Sequence, residues 1–134
     1  MFHITILVGN AGRDAEMRYT PSGQPVTDFS VAVNEHYTDS GGKKAKRTIW
    51  YKVTAWGKLA ETCNEYVKKG DAVLVEGRIN ADPVTGSPRI WTAKDGTPHT
   101  ALELTASTVR FLSPRERPQE EHEDTQQEEE PQPF

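Results

Sequence analysis

The chain has 134 residues and a formal net charge of −4, a length that suits one domain. Cys63 is the only cysteine, which excludes an internal disulfide and a thiolate zinc site. The four histidines (His3, His36, His99, His122) lack metal-ligand spacing, so no metal or other cofactor is expected. No apolar run approaches membrane-spanning length, and the first residues lack the basic-then-apolar pattern of a secretion signal. A cytoplasmic protein with no membrane partner is therefore expected.

Composition changes near Leu112. Beyond it Phe134 is the only apolar residue, and eight acids face Arg115 and Arg117, a charge of −6 that leaves residues 1–112 at +2. A segment that polar cannot bury enough surface to offset its ordering entropy. The expected organisation is a folded domain over 1–112 and a disordered acidic tail over 113–134.

In chain order, Ile4–Asn10 is an apolar strand, and Thr27–Asn34 alternates with Phe29, Val31 and Val33 on one face. Tyr37 leads into Thr38–Arg47, expected as a loop whose Lys43, Lys44, Lys46 and Arg47 could track phosphates. Thr48–Trp56 is the third strand. Leu59, Cys63, Tyr66 and Val67 make one helical stripe, with Lys68 and Lys69 in its last turn and Gly70 as its stop. Ala72–Asn80 and Ala101–Leu112 are the last two strands, joined by a long connection carrying Trp91. Phe29, Tyr66 and Phe111 are expected in the core. Three strands, a helix and two strands is the order of an all-β OB-fold: a five-stranded Greek-key barrel with one helix between its third and fourth strands.

The third strand carries the chemistry. Ile49, Tyr51, Val53 and Ala55 share one face and suit a core, whereas Trp50, Lys52, Thr54 and Trp56 share the other. A strand tryptophan is often core, but here the opposite face already supplies the core set. An indole stacks on any base, and a neighbouring ammonium can meet a phosphate. Trp91, between Arg89 and Lys94, is a further candidate for base contact.

Several ordered motifs resemble the bacterial single-stranded DNA-binding protein (SSB) family. They are Ile6-Leu7-Val8-Gly9-Asn10 with Gly12, Arg13 and Asp14; Arg18-Tyr19-Thr20-Pro21-Ser22-Gly23; Trp50-Tyr51-Lys52-Val53; Trp56-Gly57-Lys58-Leu59-Ala60-Glu61; and Lys69-Gly70-Asp71 followed by Val75-Glu76-Gly77-Arg78. The resemblance implies stacking positions at Tyr37, Trp50, Trp56 and Trp91, and basic contacts at Lys52, Lys58, Lys69 and Arg78. It also implies a homotetramer, association with the nucleoid, a role in DNA replication, repair and recombination, and recruitment of partner proteins by the chain's end. Tyr51 stands where some members carry histidine near a subunit contact. The tip, Glu128-Glu129-Glu130-Pro131-Gln132-Pro133-Phe134, has Gln132 where members usually have an aliphatic residue. Glu128, Glu129, Glu130, Pro133 and Phe134 are the expected docking residues: the ring and terminal carboxylate suit a basic-rimmed pocket, and the acids speed encounter.

Two other functions fit such a barrel. A nuclease needs clustered carboxylates, for which Asp14, Glu16, Glu76 and Arg78 are the local candidates, but no catalytic residue is expected. Gly57-Lys58 lacks the glycine spacing of a phosphate-binding loop. A primosome-type adaptor is the other alternative, and the acidic, Phe-ended tail argues against it.

Overall fold

Alternating apolar positions close the chain into a barrel. The computed structural model describes residues 1–113. Its elements are β1 (Thr5–Ala11), β2 (Glu16–Tyr19), β3 (Pro25–Thr38), β4 (Lys44–Trp56), α1 (Gly57–Tyr66), β5 (Ala72–Ile79), β6 (Ile90–Thr92), β7 (Pro98–Thr100) and β8 (Leu102–Phe111). The sheet runs β1-β5-β8-β4-β3-β2, and a further pairing of β1 with β3 shuts it. The barrel proper is thus β1, β3, β4, β5 and β8, all antiparallel neighbours except β4 and β8, which run parallel. β2 lies on β3, and among the described residues β6 pairs only with β7, as a separate hairpin.

Two glycines permit the closure. A Cβ on Gly9 would lie 2.3 Å from the Ala32 carbonyl oxygen, and one on Gly77 would lie 2.1 Å from that of Thr105. Gly77 also follows a register shift in the β5–β8 ladder, as expected where a strand bends to complete a small barrel.

Inward positions fill the interior: Leu7, Phe29, Val31, Val53, Ala55, Val73, Val75, Leu104 and Val109. Ala60, Cys63 and Val67 add the buried stripe of the helical segment to the same cluster. The helix is tied to the barrel by the buried Thr27 hydroxyl, which donates to the Ala60 carbonyl at 2.6 Å.

Several sequence expectations change. The supposed loop Thr38–Arg47 is mostly hairpin: β3 extends to Thr38, β4 starts at Lys44, and Lys44, Lys46 and Arg47 are strand residues. Only Asp39–Lys43 turns, with Asp39 Oδ1 accepting the N–H groups of Gly41 and Lys43 at 2.9 Å each. Lys68 and Lys69 fall beyond the helix, which ends at Tyr66 with Val67 as its C-cap; Gly70, at φ 90°, sits in the turn that follows. Tyr66 and Phe111 are exposed rather than core, their rings in a tilted pair at 5.7 Å. The connection after β5 contains the β6–β7 hairpin, so Trp91 is a strand residue. The tail expectations, including the docking tip, lie outside the described residues.

Burial pushes the Cys63 thiol from its ordinary 9.0 up to about 12. The folded chain therefore keeps its proton at pH values where the unfolded chain has lost it, so the unfolded state binds fewer protons and stability falls as pH rises from 9 to about 12. Cys63→Ala lacks this component. Its stability deficit against the parent, measured by urea unfolding, is expected to narrow across that window, and a constant deficit would contradict the burial.

Candidate nucleic-acid interface

The register of β3 against β4 assigns every side chain of the hairpin to a face. Phe29, Val31 and Val33 oppose Val53, Tyr51 and Ile49 on the inner face. The outer face pairs Val26 with Trp56, Asp28 with Thr54, Ser30 with Lys52, Ala32 with Trp50, Asn34 with Thr48, His36 with Lys46 and Thr38 with Lys44. Trp50 is 53% exposed and Trp56 44%. Lys44, Lys46, Lys52 and both tryptophans therefore share one continuous outer stripe. Near its distal part a groove of about 420 Å³ is lined by Asn34, His36, Lys46 and Thr48 of this face, together with Arg47, whose register belongs to the other face.

The stripe widens across neighbouring strands. β8 places Glu103 beside Lys52 and Thr105 beside Thr54, and β5 places Arg78 beside Thr105. The Arg78 guanidinium lies 5.7 Å over the ring of Phe2. On the other flank Arg18 of β2 opposes Val26, and so joins Trp56 in one row. Val26 is fully buried yet is not part of the interior cluster. Its register places it between Arg18 and Trp56.

Two carboxylates stand on this surface, and each has an arginine. Asp28 pairs with Arg18 and accepts the Thr54 hydroxyl at 2.9 Å. Glu103 pairs with Arg89 at 2.8 Å. Arg89 also lies 5.3 Å over the Trp91 ring, which stacks on His99 at 5.9 Å. The Thr97 hydroxyl donates to Asp95 Oδ1 at 2.6 Å, so its oxygen accepts from His99 Nε2 at 3.0 Å. That hydroxyl, with the Thr97 N–H, holds the Asp95 carboxyl below its ordinary value. Lys44, Lys46 and Lys52 form no ion pair among the described residues.

Not every expected residue joins the stripe. Tyr37 and Arg47 lie on the opposite face of the hairpin, because Tyr37 opposes Ala45 and Arg47 opposes Glu35. There Arg47 lies 4.9 Å over the Tyr37 ring and pairs with Glu35 at 3.0 Å. Lys43 is in the hairpin turn and Lys58 in the first turn of α1. The Lys69 N–H donates to Asp14 Oδ1 at 2.8 Å, in the turn beyond the helix. No strand register ties these three lysines to the tryptophans. Asp14, Glu16 and Glu76 do not form a metal-type cluster, and no group of three or more His, Cys, Asp or Glu does so among the described residues. Arg18, Asp28, Arg89, Glu103 and His36 are members of the surface that the sequence reading did not select. Arg18 was visible only as part of a motif, since the four residues of β2 are too few to show a period.

A closed five-stranded barrel with its helix between the third and fourth barrel strands is an OB-fold, here with aromatic and basic side chains on an outer face. Residues 2–112 match the model of the Single-strand binding protein family, and the chain belongs to that family. A Single-stranded DNA-binding protein of Neisseria meningitidis serogroup A is 41% identical over 110 residues, covering 82% of this chain and 59% of that protein. Single-stranded DNA-binding protein 1 of Chlorobaculum tepidum is 38% identical over 112 residues, covering 83% and 65%. The chain thus spans less than two thirds of the length of either relative. The barrel is also similar to the Plasmodium falciparum SSB, solved in complex with single-stranded DNA, at a TM-score of 0.67 and 22% identity, covering 84% of this chain and 96% of that one.

The two tryptophans differ in what they cover. Trp56 opposes buried Val26, whereas Trp50 opposes the small Ala32. Trp56→Ala is expected to cost about 1.5–3 kcal/mol of unfolding free energy, the scale of one aliphatic side chain brought into water, and Trp50→Ala clearly less. Urea unfolding of both variants checks this, and equal losses would mean that other groups bury Val26.

Proposed function

We propose that the chain binds single-stranded DNA with little sequence preference. The observation that carries this reading is one outer strand face with Trp50 and Trp56 half-exposed and Lys52 between them. Bases stack on the two indoles, and phosphates meet Lys52, Lys44, Lys46 and Arg78, with Lys43, Lys58 and Lys69 contributing from the periphery. Stacking uses the face that every base has, which makes it tolerant of sequence. Tyr37, with Arg47, is reached where the strand rounds the edge of the hairpin, and Trp91 is reached on the β6–β7 hairpin.

The same reading extends to assembly and partners. Among the described residues β1 pairs β3 only at Asn10 and Ala11, which leaves the edge of Thr5–Val8 without a strand partner on that side. Ile6 and Val8 of that strand, and Ile4 just before it, are exposed. An open edge beside an apolar stripe suits pairing with a second copy, in support of a homotetramer. The tail, through Glu128, Glu129, Glu130, Pro133 and Phe134, recruits replication, repair and recombination proteins, and by its charge of −6 competes with DNA for the basic surface.

Trp50→Ala is expected to weaken binding of oligo-dT by about 1–3 kcal/mol, with a salt slope of about −0.7 per neutralised phosphate in the parent protein. Fluorescence titration at several salt concentrations measures both. Parental affinity in the variant would remove stacking at Trp50, and a flat salt response would remove the lysines.

Ser113 belongs to the barrel, since its hydroxyl accepts the Ala72 N–H at 2.6 Å. Truncation after Ser113 therefore leaves the barrel's contacts in place. It is expected to tighten oligo-dT binding at low salt and to change little at high salt. Unchanged low-salt affinity would rule out competition by the tail.

A further inference from the structure

Gly12 lies just beyond β1, and its N–H donates to the Ser30 carbonyl at 3.0 Å. A Cβ placed on Gly12 would stand 2.6 Å from Cζ3 and 3.1 Å from Cη2 of Trp50, and 3.0 Å from Ser30 Oγ. The six-membered ring of Trp50 therefore reaches across β3 and rests against the bare backbone of Gly12. Ala32 is the cross-strand partner of Trp50, and Ser30 Oγ borders the same point above Gly12. Gly12, Ser30 and Ala32 make a floor of small residues, and more than half of the Trp50 surface stays open to solvent.

The clash at Gly12 differs in kind from those at the other two crowded glycines. At Gly9 and Gly77 a Cβ would meet strand backbone, which cannot give way without opening the barrel. At Gly12 the nearest atoms are at the far end of a side chain. Gly12 also lacks the positive φ that would by itself call for glycine. Backbone conformation and barrel closure therefore do not explain why this position has no side chain, whereas the indole seat does.

We infer that Gly12 is a positioning residue for base stacking: by having no side chain it seats the Trp50 indole and fixes the orientation in which that ring meets a base. This inference rests on the reading that Trp50 stacks on DNA. An indole held by packing loses less rotamer freedom when a base arrives than a free one does, and so returns more of the stacking energy as affinity. A methyl at Gly12 lifts the ring from its floor and leaves the fold in place.

The test is a double-mutant cycle of Gly12→Ala and Trp50→Ala in the full chain, with oligo-dT affinity and thermal midpoint measured for each variant. Gly12→Ala alone is expected to weaken binding by about tenfold, within the range of one lost stack, with a thermal midpoint close to that of the parent. In the Trp50→Ala background it is expected to change nothing, because the ring it displaces is gone. A Trp56→Phe/Trp91→Phe variant leaves Trp50 as the sole indole. In that variant Gly12→Ala is expected to raise acrylamide quenching and lower the quench on adding DNA. Parental affinity in Gly12→Ala while Trp50→Ala is weakened would overturn the positioning role and leave stacking standing. An equal loss in both backgrounds would overturn it too, because Gly12 would then act by another route. Parental affinity in Trp50→Ala would remove the stacking reading and this inference together.

Discussion

The register between β3 and β4 is the constraint on which the functional surface depends. It is fixed from inside: Phe29, Val31 and Val53 are fully buried and can be so only in one pairing. A slip of one residue would turn Val53 outward and drive Lys52 into the core, at the cost of desolvating an ammonium among valines. Because side chains alternate, what fixes the inner face also fixes the outer one. Trp50, Lys52, Thr54 and Trp56 are thus lined up by a core they do not enter. Beyond Val33 and Ile49 the inner face runs out of apolar partners and the hairpin projects as an arm. On that arm the two faces diverge in chemistry, with the lysines and His36 on one and the Tyr37–Arg47 pair on the other.

The electrostatics of the surface are arranged more by pairing than by net charge. With only +2 over residues 1–112, two free carboxylates beside the tryptophans would cancel much of the attraction for a polyanion. Instead Asp28 and Glu103 are each neutralised by an arginine from a neighbouring element, Arg18 from β2 and Arg89 from the residue before β6. Exposed pairs of this kind add little stability. Their effect is local: among the described residues they leave Lys44, Lys46, Lys52 and Arg78 as cations of the surface without an ion pair. Arg89 does two further things, since it links the β6–β7 hairpin to β8 and caps the Trp91 ring.

Much of this was legible from the chain, for one physical reason. Period-two alternation in Thr48–Trp56 is strong, so both faces of β4 could be assigned before any coordinates, and Val53 and Ala55 are indeed fully buried. The barrel strands and the helix between the third and fourth of them followed from the same patterns. The misses occur where alternation carries no hydrophobic contrast. Thr38–Arg47 looked like a loop because polar residues occupy both faces of an arm that has solvent on both sides. Tyr66 and Phe111 looked like core because an aromatic on a stripe usually is; here they pack on each other at the barrel rim. The opposite facing of Tyr37 and Trp50 follows from unbroken alternation, since Tyr37 shares the parity of Phe29, Val31 and Val33 while Trp50 opposes that of Ile49 and Tyr51; it stayed hidden because the apolar pattern that shows β3 fades before Tyr37.

Exposed indoles need a reason to hold still. A tryptophan left half in water on a flat strand samples several rotamers, and each loses entropy when a base settles on it. Here the two are restrained in different ways. Trp56 lies in a row with buried Val26 and Arg18, an apolar neighbour for one face of its ring. Trp50 opposes the small Ala32, and close approach to Gly12 does the equivalent work by shape. Neither restraint involves the outward face of the ring, which remains free for stacking. The barrel core and the platform are therefore one construction: strands packed tightly enough to fix the register also bring β1 close enough to β3 for Gly12 to meet an indole that belongs to β4.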